Sequence, residues 1–114
     1  LAIDLDVAAG KGADVAAALR DAFQLARPDI TAMRLVMQRQ VQHEAFADAL
    51  VTANAVLQLK PSDLRAQQEV GELEIRLGHH AAAAERARTL EGDFTDSPVG
   101  PGLRAKLALA QGRA

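Results

Sequence analysis

The feature that most constrains the fold is a constant spacing, about 34 residues, between the points where apolar helical patterns stop. Three of these patterns stop at a glycine and one stops at a glutamate; the residues are Gly10, Glu44, Gly78 and Gly112. We call this spacing the repeat interval. A constant interval of this length predicts a chain built from repeats of one supersecondary unit.

Three further helical runs lie between these stops, at residues 13–29, 45–63 and 81–98. Each run ends in a turn that contains proline and aspartate. Proline cannot continue a helix, and aspartate or serine can cap the helix that follows. The pattern predicts about seven helices, in which helices A end at the regularly spaced stops and helices B end at the Pro/Asp turns.

The composition agrees with helices that approach one another closely. The chain contains 25 alanines and 15 leucines, but only three phenylalanines and no tryptophan or tyrosine. Alanine is the best helix former and its small side chain allows close helix contacts, whereas strands favour β-branched and aromatic residues. An all-α protein is therefore predicted.

Charge and cysteine content exclude several kinds of function. The 13 basic and 15 acidic residues are well mixed and give a net charge of −2, so no basic stripe favours nucleic-acid binding. The chain has no cysteine, which excludes disulfides and a cysteine nucleophile. The longest uncharged apolar stretch, residues 49–59, is too short to cross a bilayer.

Both ends of the sequence lie within helical patterns, so we expect a fragment of a longer protein that forms one domain over residues 1–114. Its approximate units are 1–29, 30–63, 64–98 and 99–114. Truncated ends would expose apolar patches, which favour self-association through the terminal helices. The expected patches comprise Leu1, Ile3 and Leu5 at one end and Leu103, Leu107 and Leu109 at the other.

At this point the sequence resembles the tetratricopeptide repeat family, whose unit has the same length as the repeat interval. The resemblance lies in a small residue within helix A, a glycine at the A–B turn, an alanine early in helix B and a proline at its end. The matching positions are Gly71, Gly78 and Ala83 in the third unit and Ala49 and Pro61 in the second. The resemblance implies an α-solenoid of antiparallel helix pairs in a right-handed superhelix. Gln67 and Glu74 depart from it, because the family usually has bulky apolar or aromatic residues there.

A finer resemblance concerns the segment "LEGDFTDSPVG" followed by "LRAKLALAQGR". It is similar to the Ala/Leu-rich repeats of tetratricopeptide lipoproteins from bacterial exopolysaccharide and exosortase (PEP-CTERM) systems. This resemblance implies a bacterial periplasm or cell envelope in preference to the cytoplasm, although the residues themselves assign no compartment.

In the repeat family, helix A lines a concave groove that holds a partner peptide. The resemblance places nine residues of this chain there: Thr31, Arg34, Gln38, Gln42, Arg65, Gln68, Glu72, Arg76 and Lys106. The cations among them would pair with carboxylates of an acidic or polar partner. The alternative is a merely solvated helix face. A clamp for a terminal carboxylate is not expected, because the one asparagine, Asn54, lies in a helix B.

The histidine pair His79-His80 does not predict a metal site, because adjacent residues on a helix point about 100° apart. The main interpretation is an exposed turn. Two alternatives remain, a metal site formed by His43, Glu44 and His79 across neighbouring turns and a pH-sensitive contact.

No pattern indicates catalysis or a cofactor. The serines Ser62 and Ser97 lie in Pro/Asp turns, where we expect them to cap helices, and no histidine has a spacing that would activate them. The "GKG" at residues 10–12 lacks the remainder of a phosphate-binding loop.

The sequence therefore predicts a non-catalytic protein–protein interaction scaffold that binds a protein or peptide and takes no cofactor. One alternative is a structural spacer of a long repeat protein with no ligand of its own. The other is a helical bundle that holds a cofactor or metal, which would need convergent ligands at i, i+3 or i+4 spacing.

Overall fold

The computed structural model describes residues 12–112, which form six α-helices and no strand. The helices are α1 (Gly12–Ala26), α2 (Ile30–Gln42), α3 (Phe46–Leu59), α4 (Leu64–Arg76), α5 (His80–Asp93) and α6 (Val99–Ala110). The prediction of an all-α protein is confirmed. The first of the seven predicted helices, at residues 1–10, lies outside the described residues.

The chain divides after Leu59 into two compact units. In the first unit α2 packs against both α1 and α3, which also touch each other. In the second unit α5 packs against α4 and α6, and α4 contacts α6 directly. Among residues 12–112, each unit therefore contributes a cluster of three helices with short connections. The solenoid and the four unit boundaries expected from the sequence stay predictions.

Side chains accept hydrogen bonds from backbone N–H groups at the starts of three helices, and the accepting residues recur at the repeat interval. Asp29 accepts a hydrogen bond from the backbone N–H of Ala32, and Asp63 accepts from that of Arg65. Ser97 Oγ accepts from the backbone N–H of Val99 at 3.2 Å. These bonds satisfy amide groups that have no partner within the helix, which explains why α2, α4 and α6 begin where they do. Ser97 lies one residue before Pro98, the N-cap residue of α6, and Pro98 itself makes no side-chain cap bond. At α4 the N-cap residue is Asp63 and not Ser62, so neither serine is an N-cap residue.

The ends of α2, α4 and α6 share one backbone turn, which also recurs at the repeat interval. The residue after each C-cap has a positive φ: 57° at Glu44, 77° at Gly78 and 74° at Gly112. At the first two turns, the next residue donates its N–H to a carbonyl five positions earlier, Ala45 to Gln40 and His79 to Glu74, both at 2.8 Å. This is the Schellman arrangement, which requires a left-handed residue and favours glycine.

The core of the first unit consists mainly of aliphatic and methionine side chains. Leu19 and Met33 are fully buried, and Val36 and Val56 are 1% exposed. Full burial of such a side chain contributes about 1.5–3 kcal/mol. An exposed ion pair on the same unit joins α1 to α3, with 3.0 Å between Arg20 Nη1 and Asp48 Oδ2.

The core of the second unit brings the apolar stripe of α6 against α5 and α4. Ala87, Leu90 and Leu103 form a buried cluster, and partly buried apolar residues, including Ile75 and Phe94, pack against it. Two glycines permit this approach. A Cβ on Gly71 would lie 2.7 Å from Leu103 Cδ1, and a Cβ on Gly100 would lie 3.0 Å from the carbonyl oxygen of Ala87.

This packing corrects one expectation about the C-terminal helix. Leu103 and Leu107 were expected to form an exposed patch, but they are 2% and 5% exposed because they face the other helices of their unit. Leu109 alone of the three is exposed, at 73%. The N-terminal patch of Leu1, Ile3 and Leu5 lies outside the described residues.

Candidate functional site

The nine predicted groove residues lie on α2, α4 and α6. The first unit carries four of them on α2, namely Thr31, Arg34, Gln38 and Gln42. The second unit carries five, of which Arg65, Gln68, Glu72 and Arg76 lie on α4 and Lys106 lies on α6. Six are exposed and three are half-buried: Arg34, Gln68 and Glu72. Their accessibility suits a binding surface, and in the second unit three of them also contact one another.

A charge network connects the candidate residues of α4 and α6. Gln68 Nε2 donates a hydrogen bond to Glu72 Oε2 at 3.4 Å, and Lys106 Nζ forms an ion pair with the same carboxylate oxygen. The Lys106 side chain is 51% exposed and that of Glu72 is 37% exposed. Because exposed ion pairs contribute between 0 and about 1 kcal/mol, this pair can exchange partners at little cost.

A recess of about 310 Å³ lies beside this network, between α4 and α6. Its lining is Gln68, Pro98, Val99, Gly102, Leu103 and Lys106. The lining is therefore mostly apolar, and Gln68 and Lys106 are its polar residues. An apolar lining with a few polar groups is the usual character of a ligand site.

Two of the remaining candidate side chains, Arg65 and Gln42, contact neighbours on their own helices. Arg65 Nε lies 3.5 Å from Glu69 Oε2, one helical turn further along α4. In the first unit, Arg39 Nη1 donates to Gln42 Oε1 at 3.5 Å. Such contacts along a helix surface contribute about 0.2–0.5 kcal/mol each, so they leave these groups available to a partner.

A partly buried polar cluster, which the sequence reasoning did not predict, joins α4 to α5. Arg86 Nε and Nη2 lie 2.8 Å and 3.2 Å from the two carboxylate oxygens of Glu74, a two-point contact. Arg86 Nη1 also donates to Gln67 Oε1 at 2.6 Å, and Gln67 Nε2 donates to the carbonyl of Pro61 at 3.1 Å. Gln67 and Glu74, the two residues that depart from the repeat-family pattern, are thus both partners of Arg86.

The first unit has a polar pair at the equivalent places, one repeat interval earlier. Thr52 Oγ1 lies 2.7 Å from Gln40 Oε1 and donates to it, joining α3 to α2. Both side chains are buried, at 0% and 1% exposure. Over residues 12–112, every buried side-chain nitrogen or oxygen has a hydrogen-bond partner. Because the buried polar atoms of both pairs have hydrogen-bond partners, the pairs have a structural role.

The histidines lie at the turns, as expected. His43 is the C-cap residue of α2, His79 precedes α5 without a side-chain cap, and His80 begins α5. His79 is exposed, and the other two are half-buried. Within the described part of the chain, no three His, Asp or Glu side chains are grouped in a way that would hold a metal ion.

No helix within residues 12–112 has both the length and the apolar character that crossing a bilayer requires. Comparisons of this chain with protein-family models, with curated proteins and with solved structures find no match. The tetratricopeptide resemblance therefore depends on the chain's own residues and spacings.

Proposed function

We propose that this chain is a non-catalytic protein-binding scaffold of the tetratricopeptide kind, and that α4 and α6 bind a segment of a partner protein. The observation that carries the proposal is the recess between α4 and α6. Two of the nine groove residues, Gln68 and Lys106, line it together with the apolar side chains of Val99 and Leu103.

The lining indicates what kind of segment would bind. An aliphatic side chain of the partner would occupy the apolar part of the recess, where burial contributes about 25 cal/mol for each Å² removed from water. The Gln68 amide offers both a donor and an acceptor to the partner's backbone. Lys106 Nζ would attract a carboxylate, in exchange for part of its contact with Glu72.

The repeated caps and turns support a scaffold rather than a site for chemistry. The helix-start bonds of Asp29, Asp63 and Ser97 and the left-handed turns at Glu44 and Gly78 recur at the repeat interval along the chain. Helices that are fixed at both ends are rigid, and rigid surfaces reduce the entropy that binding costs.

Selection of peptides tests the proposal and separates it from the spacer alternative. A displayed library of random peptides is selected against the 114-residue chain. We expect enriched sequences with one aliphatic residue near one or two acidic residues. Two variants, K106E and Q68A, should weaken these peptides, whereas K60E, a matched charge reversal at an exposed lysine outside the groove, should leave them unchanged.

Two results would count against the proposal. If no peptide is enriched over a selection without the protein, the spacer alternative is favoured. If enriched peptides bind K106E and Q68A as well as the original chain, a partner binds elsewhere. Circular dichroism of both variants checks that the helices are intact. A role in a bacterial envelope or exopolysaccharide assembly is a finer proposal, which the neighbouring genes of the full-length gene would test.

A further inference from the structure

A second recess, of about 490 Å³, lies between α5 and α6. Its lining is Ala84, Ala87, Arg88, Arg104, Leu107 and Ala108. The floor consists of alanine and leucine, and an arginine stands on each side. This recess uses residues of α6 other than those that line the recess beside α4, so it is a separate surface.

Comparison of α6 with α2 shows that α6 leaves open a face that α2 buries. The shared turns at Glu44 and Gly112, which lie two repeat intervals apart, set the register of the comparison. On α2 the face consists of buried side chains: Met33, Val36, Met37 and Gln40. The equivalent residues of α6 are Pro101, Arg104 and Ala105, which are exposed, and Ala108, which is half-buried.

In the first unit, the helix that follows α2 covers part of this face. Gln40 of α2 accepts a hydrogen bond from Thr52 of α3, and Arg20 of α1 pairs with Asp48 in the first turn of α3. The first unit therefore shows what the open face accepts, namely a helix with small residues and a carboxylate in its first turn.

The equivalent of Arg20 on α5 is Arg88, again two repeat intervals further along the chain. The Arg88 side chain is 73% exposed and pairs with Glu85 on its own helix. Arg104, on the other side of the recess, is 67% exposed and pairs with Glu91. Both are surface pairs that a partner's carboxylate can join or replace. Alanines on the floor let a helix backbone approach closely.

We propose that the α5–α6 recess binds an amphipathic helix of a partner protein, with small apolar residues on one face and an acidic residue in its first turn against Arg88. A second copy of this chain cannot supply α3 for this purpose. The residues that α3 would have to present are already buried in its own unit: Ala49, Thr52, Ala53 and Val56.

A synthetic peptide with the sequence of residues 45–60 is a suitable probe, because it carries the chemistry that the first unit accepts. A hydrocarbon staple between positions 51 and 58, both exposed on α3, would keep it helical. Fluorescence anisotropy with the 114-residue chain should show saturable binding. The D48K peptide should bind at least about tenfold more weakly, because it places like charges together.

Charge exchange in the protein provides the control. The R88D variant should lose affinity for the original peptide and regain it for the D48K peptide. The R20D variant should bind the original peptide as well as the unchanged chain does. Arg88 is exposed, so its substitution leaves the fold intact.

Three outcomes would overturn the proposal. The first is an absence of saturation up to about 1 mM peptide. The second is binding that R20D weakens and R88D does not, which would mean that the peptide replaces α3 in the first unit. The third is a dimer in sedimentation that R88D abolishes, which would mean that a second copy occupies the recess. If K106E does not affect the displayed peptides, only the proposal for the recess between α4 and α6 fails. The proposal for the α5–α6 recess is tested separately, by R88D.

Discussion

The turn at Glu44 provides a sensitive test of the repeated architecture. Glu44 has φ 57°, a left-handed conformation that the two equivalent positions fill with glycine. A side chain with a Cβ costs about 1–2 kcal/mol in this conformation, because the Cβ lies too close to the following carbonyl oxygen. We therefore expect Glu44→Gly to stabilise the first unit.

The size of the effect follows from two opposing contributions. Relief of the left-handed conformation contributes about 1–2 kcal/mol. The greater freedom of glycine in the unfolded chain offsets about 0.4–1 kcal/mol of that gain. The net increase in the free energy of unfolding should be about 0.5–1 kcal/mol, which for a chain of this size raises the melting temperature by roughly 2–5 °C.

Two companion variants isolate the backbone effect from the charge. Removal of a negative charge at a helix C-terminus stabilises by a few tenths of a kcal/mol, so Glu44→Gln measures that contribution alone. The reverse change, Gly78→Ala, adds a Cβ with nothing within 4 Å of it, so its cost is conformational. It should destabilise the second unit by about 0.5–1 kcal/mol.

Urea unfolding followed by circular dichroism at the helix band would measure all three variants. A change in the urea midpoint, without a change in the slope of the unfolding free energy against urea concentration, would report a change in stability alone. A Glu44→Gly variant no more stable than Glu44→Gln, or a Gly78→Ala variant as stable as the original chain, would show that the left-handed conformation carries no cost at these turns.

Three further predictions concern packing and ion pairs between helices, and urea midpoints measure each of them. Gly100→Ala should destabilise the protein by about 1–3 kcal/mol, because its Cβ would meet backbone atoms of α5 at 3.0 Å. Gly102→Ala, whose Cβ would enter open space, should stabilise it by up to about 1 kcal/mol. Equal effects of the two substitutions would contradict the contact at Gly100. Arg86→Met should cost about 2–4 kcal/mol because it leaves the Glu74 carboxylate buried without its cation, and the double variant with Glu74→Leu should recover most of that loss. Arg20→Ala, which removes one partner of an exposed pair, should cost less than about 1 kcal/mol, and a larger loss would mean that the side chain packs more than its exposure indicates.

The parts of the fold that local chemistry determines were predictable from the sequence. The starts of α2 and α4 at Ile30 and Leu64 follow directly from the aspartate before each of them. Their ends follow from the stops at Glu44 and Gly78, because the Schellman turn involves only residues within five positions of one another. These signals need no knowledge of which helices touch.

Properties that depend on contacts between helices were harder to predict. The expectation that Leu103 and Leu107 form an exposed patch rests on a truncated end, whereas both are buried within their own unit. The sequence does not show which face of α6 meets α4 and α5. The contact of Leu103 with Gly71 depends on a close approach that only the packed unit provides. Of the candidate groove, the accessibility of the side chains was predictable, but the pairing of Lys106 with Glu72 was not.

The polar pairs between helices show how a repeat can keep a geometry while changing its chemistry. Gln40 and Thr52 in the first unit, and Glu74 and Arg86 in the second, are each 12 residues apart and join equivalent helices. One pair is neutral and compact; the other is charged and longer, and it recruits Gln67 as a further partner. Because a buried polar group without a partner costs about 1–3 kcal/mol, neither member of a pair can change alone. At a single position, Glu74 therefore departs from an apolar pattern. When residues are compared in pairs, both units have a polar contact between the same two helix positions.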